Sequence, residues 1–251
     1  MKKYLVIGNP IEHSLSPALH NYWIKKNNID ARYEKKLIQG SDIERVIHEI
    51  KDDKINGINV TVPFKKSVIS FLDQLTPRAI ITQSVNTIFK EGDAVIGDNT
   101  DIGGFSLSLK HINYNSKNKK IFILGAGGVT PSVIVALSHV SKIYLSNRTR
   151  KKAENLKKMK LHKNIEIIEW DQIGKNTPDF DMIINTTSLG LKDNEEIKLN
   201  YNKIGTNKLF YDVIYNPPKT NFLTKGKALG NQIENGKMMF IYQAQLAFDL
   251  G

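Results

Sequence analysis

The sequence predicts an α/β protein with two domains, each built around a mostly parallel β-sheet. Short apolar segments with strand character alternate with amphipathic helical segments, first over residues 1–100 and again after residue 120. Such alternation is typical of parallel strands joined by crossover helices. Between the two stretches, residues 113–120 are rich in lysine and asparagine, which favours a domain boundary. The length of 251 residues allows one large domain or two of ordinary size.

The composition is that of a soluble globular protein, with 40% hydrophobic and 24% charged residues. Cysteine is absent, which excludes disulfides, thiolate metal sites and a cysteine nucleophile. No apolar run approaches membrane-spanning length and no signal peptide opens the chain, so we expect a cytoplasmic protein without a membrane partner. The formal net charge of +11 fits either anionic ligands or a composition bias of the whole genome. Because the lysines are scattered, we expect no nucleic-acid partner.

The first strand is predicted at Lys3–Gly8, and a helix from Ser16 to about Lys26 follows it. Ser16 before Pro17 has the pattern of an N-cap followed by a first-turn proline. The residues expected to face inward are Leu19, Tyr22 and Trp23. Ser14 and Ser16 place two hydroxyls two residues apart in the loop. This suits either recognition of a small polar group such as a carboxylate or a turn with a single cap.

The next elements extend the same alternation. A strand at Arg32–Leu37 precedes a helix, and a third strand is predicted at Gly57–Val62. Ser41–Glu44 has the spacing of a capping box for that helix. Apolar residues then recur at helical spacing: Ile43, Val46, Ile47 and Ile50. Beyond the third strand, Thr76 caps a short helix and residues 84–97 form a hairpin.

The stretch Asn59–Lys65 ends in the first candidate catalytic residue. Proline is favoured in the first turn of a helix, so Pro63 predicts a helix over Phe64–Leu72 with Lys65 near its start. A helix N-terminus disfavours an ammonium group, which suits a lysine that acts as a general acid or base. The alternative is a solvated lysine on a surface helix. In parallel sheets, ligands bind where strands end, and the candidates there are Ser14, Ser16, Thr61 and Lys65.

Asp101 precedes a helix expected from Ile102 to about His111. Its carboxylate therefore either caps that helix or belongs to a site. Gly103 and Gly104 fall in the first turn of the helix, where glycine is unfavourable. They indicate the close approach of another backbone or of a ligand.

A buried strand at Ile121–Leu124 is followed by the glycine-rich turn Gly125–Thr130, a helix to about Ser138 and a strand at Ile143–Ser146. This is the context of a dinucleotide-binding turn, in which glycines permit the pyrophosphate to approach. Thr130 stands where the usual fingerprint has its third glycine or alanine. We therefore predict a Rossmann-like domain and expect the helix packing near Thr130 to differ from the usual one.

The end of the second strand of this domain, Asn147–Lys152, carries four cations in six residues and no carboxylate. NAD-binding domains usually place an acidic residue there to hold the ribose hydroxyls. A 2′-phosphate is favoured instead, with Arg148 as its planar partner. The alternative is a basic helix start, which the helix macrodipole opposes. We therefore predict NADP in preference to NAD.

The alternation continues towards the C-terminus. Strands are predicted at Ile165–Ile168, Met182–Asn185 and Leu209–Val213. The polar loop Thr186–Gly190 follows the second of these, and Asn235–Gly236 interrupts the chain before a final helix, Met238 to about Leu250. Gln243 lies in that helix among apolar neighbours, where its amide needs a partner unless the residue is half-exposed.

These short motifs, distributed over nearly the whole chain, resemble those of the shikimate dehydrogenase family. They are Ser14-Leu15-Ser16-Pro17, Asn59-Val60-Thr61-Val62-Pro63-Phe64-Lys65, Val85-Asn86-Thr87, Asn99-Thr100-Asp101, Gly125-Ala126-Gly127-Gly128, Asn147-Arg148-Thr149, Asp212-Val213-Ile214-Tyr215-Asn216-Pro217 and Gln243-Ala244. The resemblance implies reversible NADPH-dependent reduction of 3-dehydroshikimate to shikimate, in the biosynthesis of chorismate and the aromatic amino acids.

The resemblance also implies a separate function for each domain. Residues 1–101 with about 236–251 would form the substrate-binding and catalytic domain, and residues 102–235 the Rossmann-like NADP-binding domain. The last helix would pack back on the first domain. The expected protein is a monomer or a homodimer.

The resemblance assigns Lys65 and Asp101 as the catalytic pair, with Lys65 as acid/base. Asp101 would orient the lysine and favour the ammonium that a helix N-terminus disfavours. The implied substrate-binding residues are Ser14, Ser16, Thr61, Lys65, Asn86, Asp101, Tyr215 and Gln243. The implied cofactor-binding residues are Gly125, Ala126, Gly127, Gly128, Asn147, Arg148, Thr149, Lys152, Thr187, Val213 and Gly236. No metal is implied.

Two alternatives remain. One is a quinate/shikimate dehydrogenase that uses NAD, for which an acidic residue in place of Arg148 would be expected. The other is a non-catalytic protein that binds NADP or shikimate, for which the loss of Lys65 or Asp101 would be expected.

Overall fold

The computed structural model describes residues 1–192 and 195–250. The strands are β1 (Lys2–Gly8), β2 (Ala31–Leu37), β3 (Gly57–Val60), β4 (Gln74–Leu75), β5 (Thr87–Glu91), β6 (Ala94–Asp98), β7 (Lys120–Leu124), β8 (Lys142–Ser146), β9 (Ile165–Ile167), β10 (Met182–Asn185), β11 (Leu209–Asp212) and β12 (Gln232–Glu234). The α-helices are α1 (Ser16–Lys26), α2 (Ile43–Lys51), α3 (Pro77–Thr82), α4 (Asp101–His111), α5 (Thr130–Ala136), α6 (Arg150–Lys158), α7 (Asn221–Ala228) and α8 (Lys237–Phe248). None of these helices is long and apolar enough to cross a membrane.

The chain forms two compact units, Met1–Gly104 with Ile241–Gly251 and Phe105–Phe240. The sheet of the first unit has the strand order β2-β1-β3-β5-β6-β4. Strand β1 is parallel to β2 and β3, and β4 is parallel to β6. Strands β5 and β6 form the antiparallel hairpin that the sequence predicts. The predicted mostly parallel α/β sheet is confirmed.

One face of this sheet packs against α2 and forms the main core of the unit. The strand residues that point to this face are Leu5, Ile7, Ile58, Val60 and Ile88. The predicted apolar stripe of α2 is confirmed, since Ile43, Val46, Ile47 and Ile50 are each at most 2% exposed. Full burial of one such aliphatic side chain contributes about 1.5–3 kcal/mol to folding.

Helix α1 turns only part of the predicted face inward, since Leu19 and Trp23 are half-buried. Its buried residues, spaced by four, are Ser16, His20 and Ile24. Tyr22 is 61% exposed, so its inward assignment is wrong. Ser16 is also not the N-cap: it is the first helical residue, and its N–H donates to Ser14 Oγ at 3.3 Å. An apolar pattern cannot find this face, because a serine and a histidine lie on it.

The predicted capping box at Ser41–Glu44 is wrong, because the cap forms two residues earlier. A short 3-10 turn, Gly40–Asp42, precedes α2. The Asp42 carboxylate accepts the Gln39 N–H at 2.8 Å, and the Gln39 side chain accepts the Asp42 N–H. A glutamine side chain therefore provides the acceptor that the pattern assigns to a serine.

The α-helix predicted over Phe64–Leu72 is absent from the described structure, which has only a 3-10 helix, Ser67–Phe71, in that stretch. Lys65 lies in the turn that precedes it. An α-helix would require the Lys65 carbonyl to accept the Ile69 N–H. That carbonyl instead accepts the Val85 N–H at 2.8 Å, and Ile69 donates to Lys66. The tertiary bond to Val85 replaces the helical one, so Lys65 does not lie in the first turn of an α-helix.

The sheet of the second unit is wholly parallel, with the order β12-β11-β10-β7-β8-β9. Alternate residues of β7 face two separate cores, one containing Ile121 and Ile123 and the other Phe122 and Leu124. Burial on both faces explains why this strand is continuously apolar. The strand order reverses direction between β7 and β10. Doubly wound sheets bind ligands at such a switch point.

The sequence analysis predicts neither α7 nor β12 in the second unit, and it gives the basic helix start only as an alternative, although α6 does begin at Arg150. Strand β12 has three residues, and α7 contains a glycine, Gly226, in its interior. A Cβ on Gly226 would lie 2.5 Å from Cγ of Phe210, which is fully buried. Glycine is therefore required where α7 crosses this aromatic ring.

Of the two glycines at the start of α4, Gly103 is closely approached, but by a side chain and not by the predicted backbone or ligand. A Cβ on Gly103 would overlap the side chain of Leu246 in α8. The approaching group is thus a side chain of the C-terminal helix, which packs on α4 within the first unit.

Gly226→Ala is expected to destabilise the protein by about 1–3 kcal/mol, since overpacking a rigid core outweighs the roughly 1 kcal/mol gain in helix propensity. Urea unfolding of the purified variant measures this. Gly40→Ala is the matched control, because a Cβ there meets nothing within 4 Å. A Gly226→Ala variant as stable as the wild type would contradict the packing described for α7.

Candidate active site

A buried ion pair lies at the carboxyl-terminal end of the first sheet. Lys65 Nζ donates to Asp101 Oδ2 at 2.6 Å, and the two side chains are only 14% and 6% exposed. Lys65 follows β3, and Asp101 opens α4. Burying two charges costs several kcal/mol per ion unless further hydrogen bonds satisfy them. The surroundings of the pair must therefore supply such bonds.

Asn86, immediately before β5, supplies them. Its Nδ2 lies 3.0 Å from Asp101 Oδ1, 2.9 Å from Thr100 Oγ1 and 3.3 Å from Gln243 Oε1. Its Oδ1 accepts the Thr100 N–H at 2.8 Å. Asn86 is 3% exposed, so its amide is fixed by these contacts. The structure thus brings together four predicted site residues, and the amide of Gln243 has the partner that its position requires.

The start of α4 distinguishes the two roles considered for Asp101. Asn99 Oδ1 accepts the Ile102 N–H at 3.3 Å and so takes the capping position. The Asp101 carboxylate instead points to Lys65 and Asn86. Sequence inspection misses both Asn99 as the cap and Thr100 as a member of the network, although they directly precede Asp101.

The remaining candidates of the first unit lie in the loops after β1 and β3. Ser14 and Thr61 are half-buried, and Ser16 is buried. Thr61 packs so closely against the end of β1 that a Cβ on Gly8 would lie 2.5 Å from its Cγ2. The Thr61 carbonyl accepts the Phe64 N–H at 3.0 Å, which forms the turn that leads to Lys65.

In the second unit, the glycine-rich turn lies at the switch point of the sheet. Gly125 has φ of +114°, and a Cβ there would lie 2.5 Å from Thr186 Oγ1. The Ala126 N–H donates to Asn147 Oδ1 at 3.0 Å, which ties the turn to the end of β8. A Cβ on Gly127 would meet nothing within 4 Å. The turn therefore leaves open space beside Gly127.

Thr130 braces this turn, which explains a threonine at the third glycine position. Its fully buried Oγ1 accepts the Gly127 N–H at 3.1 Å and lies 2.9 Å from Thr186 Oγ1. It also donates to the Gly125 carbonyl at 3.3 Å. The hydroxyl thus connects the two loops that follow β7 and β10. The pattern of glycines gives no signal of this role.

The basic residues after β8 differ in their partners. Arg150 is paired with Glu154 at 2.7 Å and also contacts Glu169. No carboxylate pairs with Arg148, Lys151 or Lys152 within residues 1–192 and 195–250. All three are exposed, and they leave positive charge next to the glycine-rich turn. A 2′-phosphate fits this arrangement, since it supplies the anion that these cations lack.

The other predicted cofactor residues hold the loops that follow β10 and β11. Thr187 Oγ1 donates to Asn185 Oδ1 at 2.7 Å. A Cβ on Gly236 would overlap the carbonyl of Val213, so only glycine fits there. The ring of Tyr215 stacks on Phe240 with 4.7 Å between centroids.

Asp212 anchors the loop that bears Val213 and Tyr215. Its carboxylate accepts hydrogen bonds from Thr220 Oγ1 at 2.7 Å and from the Ile214 N–H at 3.0 Å. Burial raises the pKa of Asp212 to about 6, although these hydrogen bonds act in the opposite direction.

The described residues contain no group of three or more histidine, aspartate or glutamate side chains placed to hold a metal ion.

Two family models match the chain. Residues 6–88 match the model described as the shikimate dehydrogenase substrate binding domain. Residues 107–213 match the model described as shikimate/quinate 5-dehydrogenase. Each match falls wholly within one of the two compact units.

Relatives match over nearly the full length. A Pelagibacter ubique protein named shikimate dehydrogenase (NADP(+)) is 60% identical over 249 residues, which cover 98% of this chain and 92% of the relative. The crystal structure of shikimate dehydrogenase from Aquifex aeolicus is 36% identical, with a TM-score of 0.90 over 100% of this chain and 92% of that one. A shikimate dehydrogenase solved in complex with NADP+ is 32% identical, with a TM-score of 0.91 over 100% and 89% of the two chains.

Proposed function

This chain belongs to the shikimate dehydrogenase family, and from that premise we propose that it reduces 3-dehydroshikimate reversibly to shikimate, with Lys65 and Asp101 as the catalytic pair. The observation that carries the proposal is the Lys65–Asp101 contact of 2.6 Å, held by Asn86 in a buried network. The Pelagibacter ubique relative is named for NADP(+), and one of the similar solved structures holds NADP+. The cations after β8 that pair with no carboxylate among the described residues support the same cofactor for this chain.

The chemistry requires a proton donor at the substrate oxygen. Bound NADPH would supply the hydride. Negative charge then develops on the carbonyl oxygen, and Lys65 Nζ is the group that donates a proton to it. Asp101 holds Nζ at a fixed position through the 2.6 Å hydrogen bond. In the reverse direction, the same lysine accepts the proton from the hydroxyl.

The polar residues around this pair would recognise the substrate. Asn86, Gln243 and Thr61 would bind the ring hydroxyls, beside Lys65 and Asp101. Ser14, Ser16 and Tyr215 would bind the carboxylate, because hydroxyl donors form strong hydrogen bonds with a charged acceptor. Convergence of Asn86, Asp101 and Gln243 within 3.3 Å supports the first assignment.

The second unit would bind the cofactor. The open side of Gly127 provides room for a pyrophosphate beside the Gly125–Gly128 turn. Arg148 and Lys152 would hold the 2′-phosphate. The other residues assigned to the cofactor are Asn147, Thr149, Thr187, Val213 and Gly236. We further propose a cytoplasmic monomer or homodimer with neither a nucleic-acid nor a membrane partner.

Lys65→Met is expected to lower kcat for shikimate oxidation by about 10²–10⁴-fold with little change in the shikimate KM, because the variant lacks the proton-transfer group. Lys66→Met is the matched control, since Lys66 is an exposed neighbour in the same turn. Circular dichroism checks that both variants are folded. A folded Lys65→Met enzyme with near-normal kcat would refute the assignment.

Arg148→Ala is expected to raise the KM for NADPH about tenfold to hundredfold and to leave the KM for NADH nearly unchanged. The expected size follows from the loss of a charge-assisted hydrogen bond of about 1.5–3 kcal/mol. Lys157→Ala removes the same charge farther along α6 and should change neither constant. Equal losses with NADPH and NADH would mean that Arg148 does not bind the 2′-phosphate.

A further inference from the structure

Tyr33, in β2, is a buried polar residue that none of the roles above uses. It is 4% exposed, and its hydroxyl donates to Asn59 Oδ1 at 2.7 Å. Its ring stacks on the buried His20 of α1, with 4.1 Å between centroids and 13° between planes. The ring is therefore held in place, and its hydroxyl is aimed at β3.

Asn59 carries this contact to the candidate active site. Its Nδ2 donates to the Asn86 carbonyl at 3.2 Å and to Thr87 Oγ1 at 3.1 Å. Thr87 Oγ1 in turn donates to Asn86 Oδ1 at 3.2 Å. The Asn86 backbone is thus connected to the Tyr33 hydroxyl through Asn59, and the Asn86 side chain is connected to it through Asn59 and Thr87.

The Tyr33 hydroxyl is the donor in its contact with Asn59. Burial raises the pKa of Tyr33 well above its ordinary value, so the phenol keeps the proton that it donates to Asn59 Oδ1. A phenylalanine at this position offers no donor to Asn59.

Packing behind Asn59 and Thr87 is incomplete. A cavity of about 200 Å³ lies between the sheet and helices α1 and α8, and its lining includes His20, Tyr33, Asn59, Thr87 and Phe248. Side chains beside a void lose contacts on that side. Hydrogen bonds, and not tight packing, must therefore fix the orientation of Asn59 and Thr87.

We propose that Tyr33 is a positioning residue that fixes the ring-binding Asn86 through Asn59. The inference rests on the proposed function, because only that function makes Asn86 a ligand of the substrate. The phenol proton holds Asn59 Oδ1, so Asn59 Nδ2 stays directed at the Asn86 carbonyl and at Thr87 Oγ1. Thr87 in turn donates to Asn86 Oδ1, which fixes the amide that would face the ring hydroxyls.

The test compares Tyr33→Phe with Tyr4→Phe. Tyr4 pairs directly with Tyr33 on the neighbouring strand and lines the same cavity, so the second variant loses the same atom on the same face of the sheet. Tyr33→Phe is expected to raise the KM for shikimate about tenfold and to change kcat by less than about threefold. A tenfold loss of affinity corresponds to about the net free energy of the one hydrogen bond that the variant lacks. The KM for NADP, which the second unit would bind, should stay unchanged. Tyr4→Phe should leave all three constants at wild-type values.

A second readout does not require turnover. In ¹⁵N-edited NMR spectra, Tyr33→Phe should shift the side-chain amide signals of Asn59 and Asn86, and Tyr4→Phe should shift neither. If the wild type oxidises shikimate and both variants share its KM, the Tyr33 inference is overturned while the proposed function stands. If the wild type does not oxidise shikimate, the proposed function fails. Unshifted amide signals in Tyr33→Phe would then still overturn the proposed link.

Discussion

The buried ion pair between Lys65 and Asp101 is the constraint on which the arrangement of the first unit depends. Two charges that are almost removed from water destabilise a fold unless hydrogen bonds surround them. Asn86 provides those bonds, and it does so only because β5, the first turn of α4 and the C-terminal helix α8 meet at the same end of the sheet. Gly103 permits the approach of α8 by leaving room for Leu246.

A comparable requirement shapes the second unit, although no charge is buried in its turn. The parallel sheet reverses its strand order between β7 and β10, and the loops after these strands must stay apart enough to admit a ligand. Thr130 connects the two loops through its fully buried hydroxyl, which lies 2.9 Å from Thr186 Oγ1. Arg148 and Lys152 are left without carboxylate partners within the described ranges, so their charge is available to an anion. The open space beside the turn and the exposed cations would each suit a phosphorylated ligand.

Elements with a regular spacing of apolar and polar residues are predictable from the sequence. Elements whose conformation depends on tertiary contacts are not. The stripe of α2 and the apolar strand β7 follow directly from the spacing of their residues. The helix expected at Lys65 fails because its carbonyl bonds to the Val85 N–H, twenty residues further along the chain. The inward face of α1 cannot be predicted from the apolar pattern, because His20 lies on it. Helix α7 cannot be predicted either, because its interior contains Gly226, which makes room for Phe210.

The same distinction applies to the site. Lys65, Asn86, Asp101 and Gln243 are identified by motif, and the structure joins them by direct hydrogen bonds. Thr100 and Tyr33, which support these residues, and Thr130, which supports the glycine-rich turn, are assigned no role by any motif. Their importance depends on partners far away in the chain, so it appears only when the fold is known. The roles that the motifs suggest in catalysis stay predictions.

The measurement that tests this account most directly is the initial rate of shikimate oxidation by the purified protein, with NADP and NAD in parallel and quinate as the control substrate. We expect turnover of shikimate with a strong preference for NADP, and little turnover of quinate. Equal rates with NAD would contradict the role of the unpaired cations after β8. Absence of shikimate turnover in a folded protein would contradict the central claim that the Lys65–Asp101 pair is a working acid/base site.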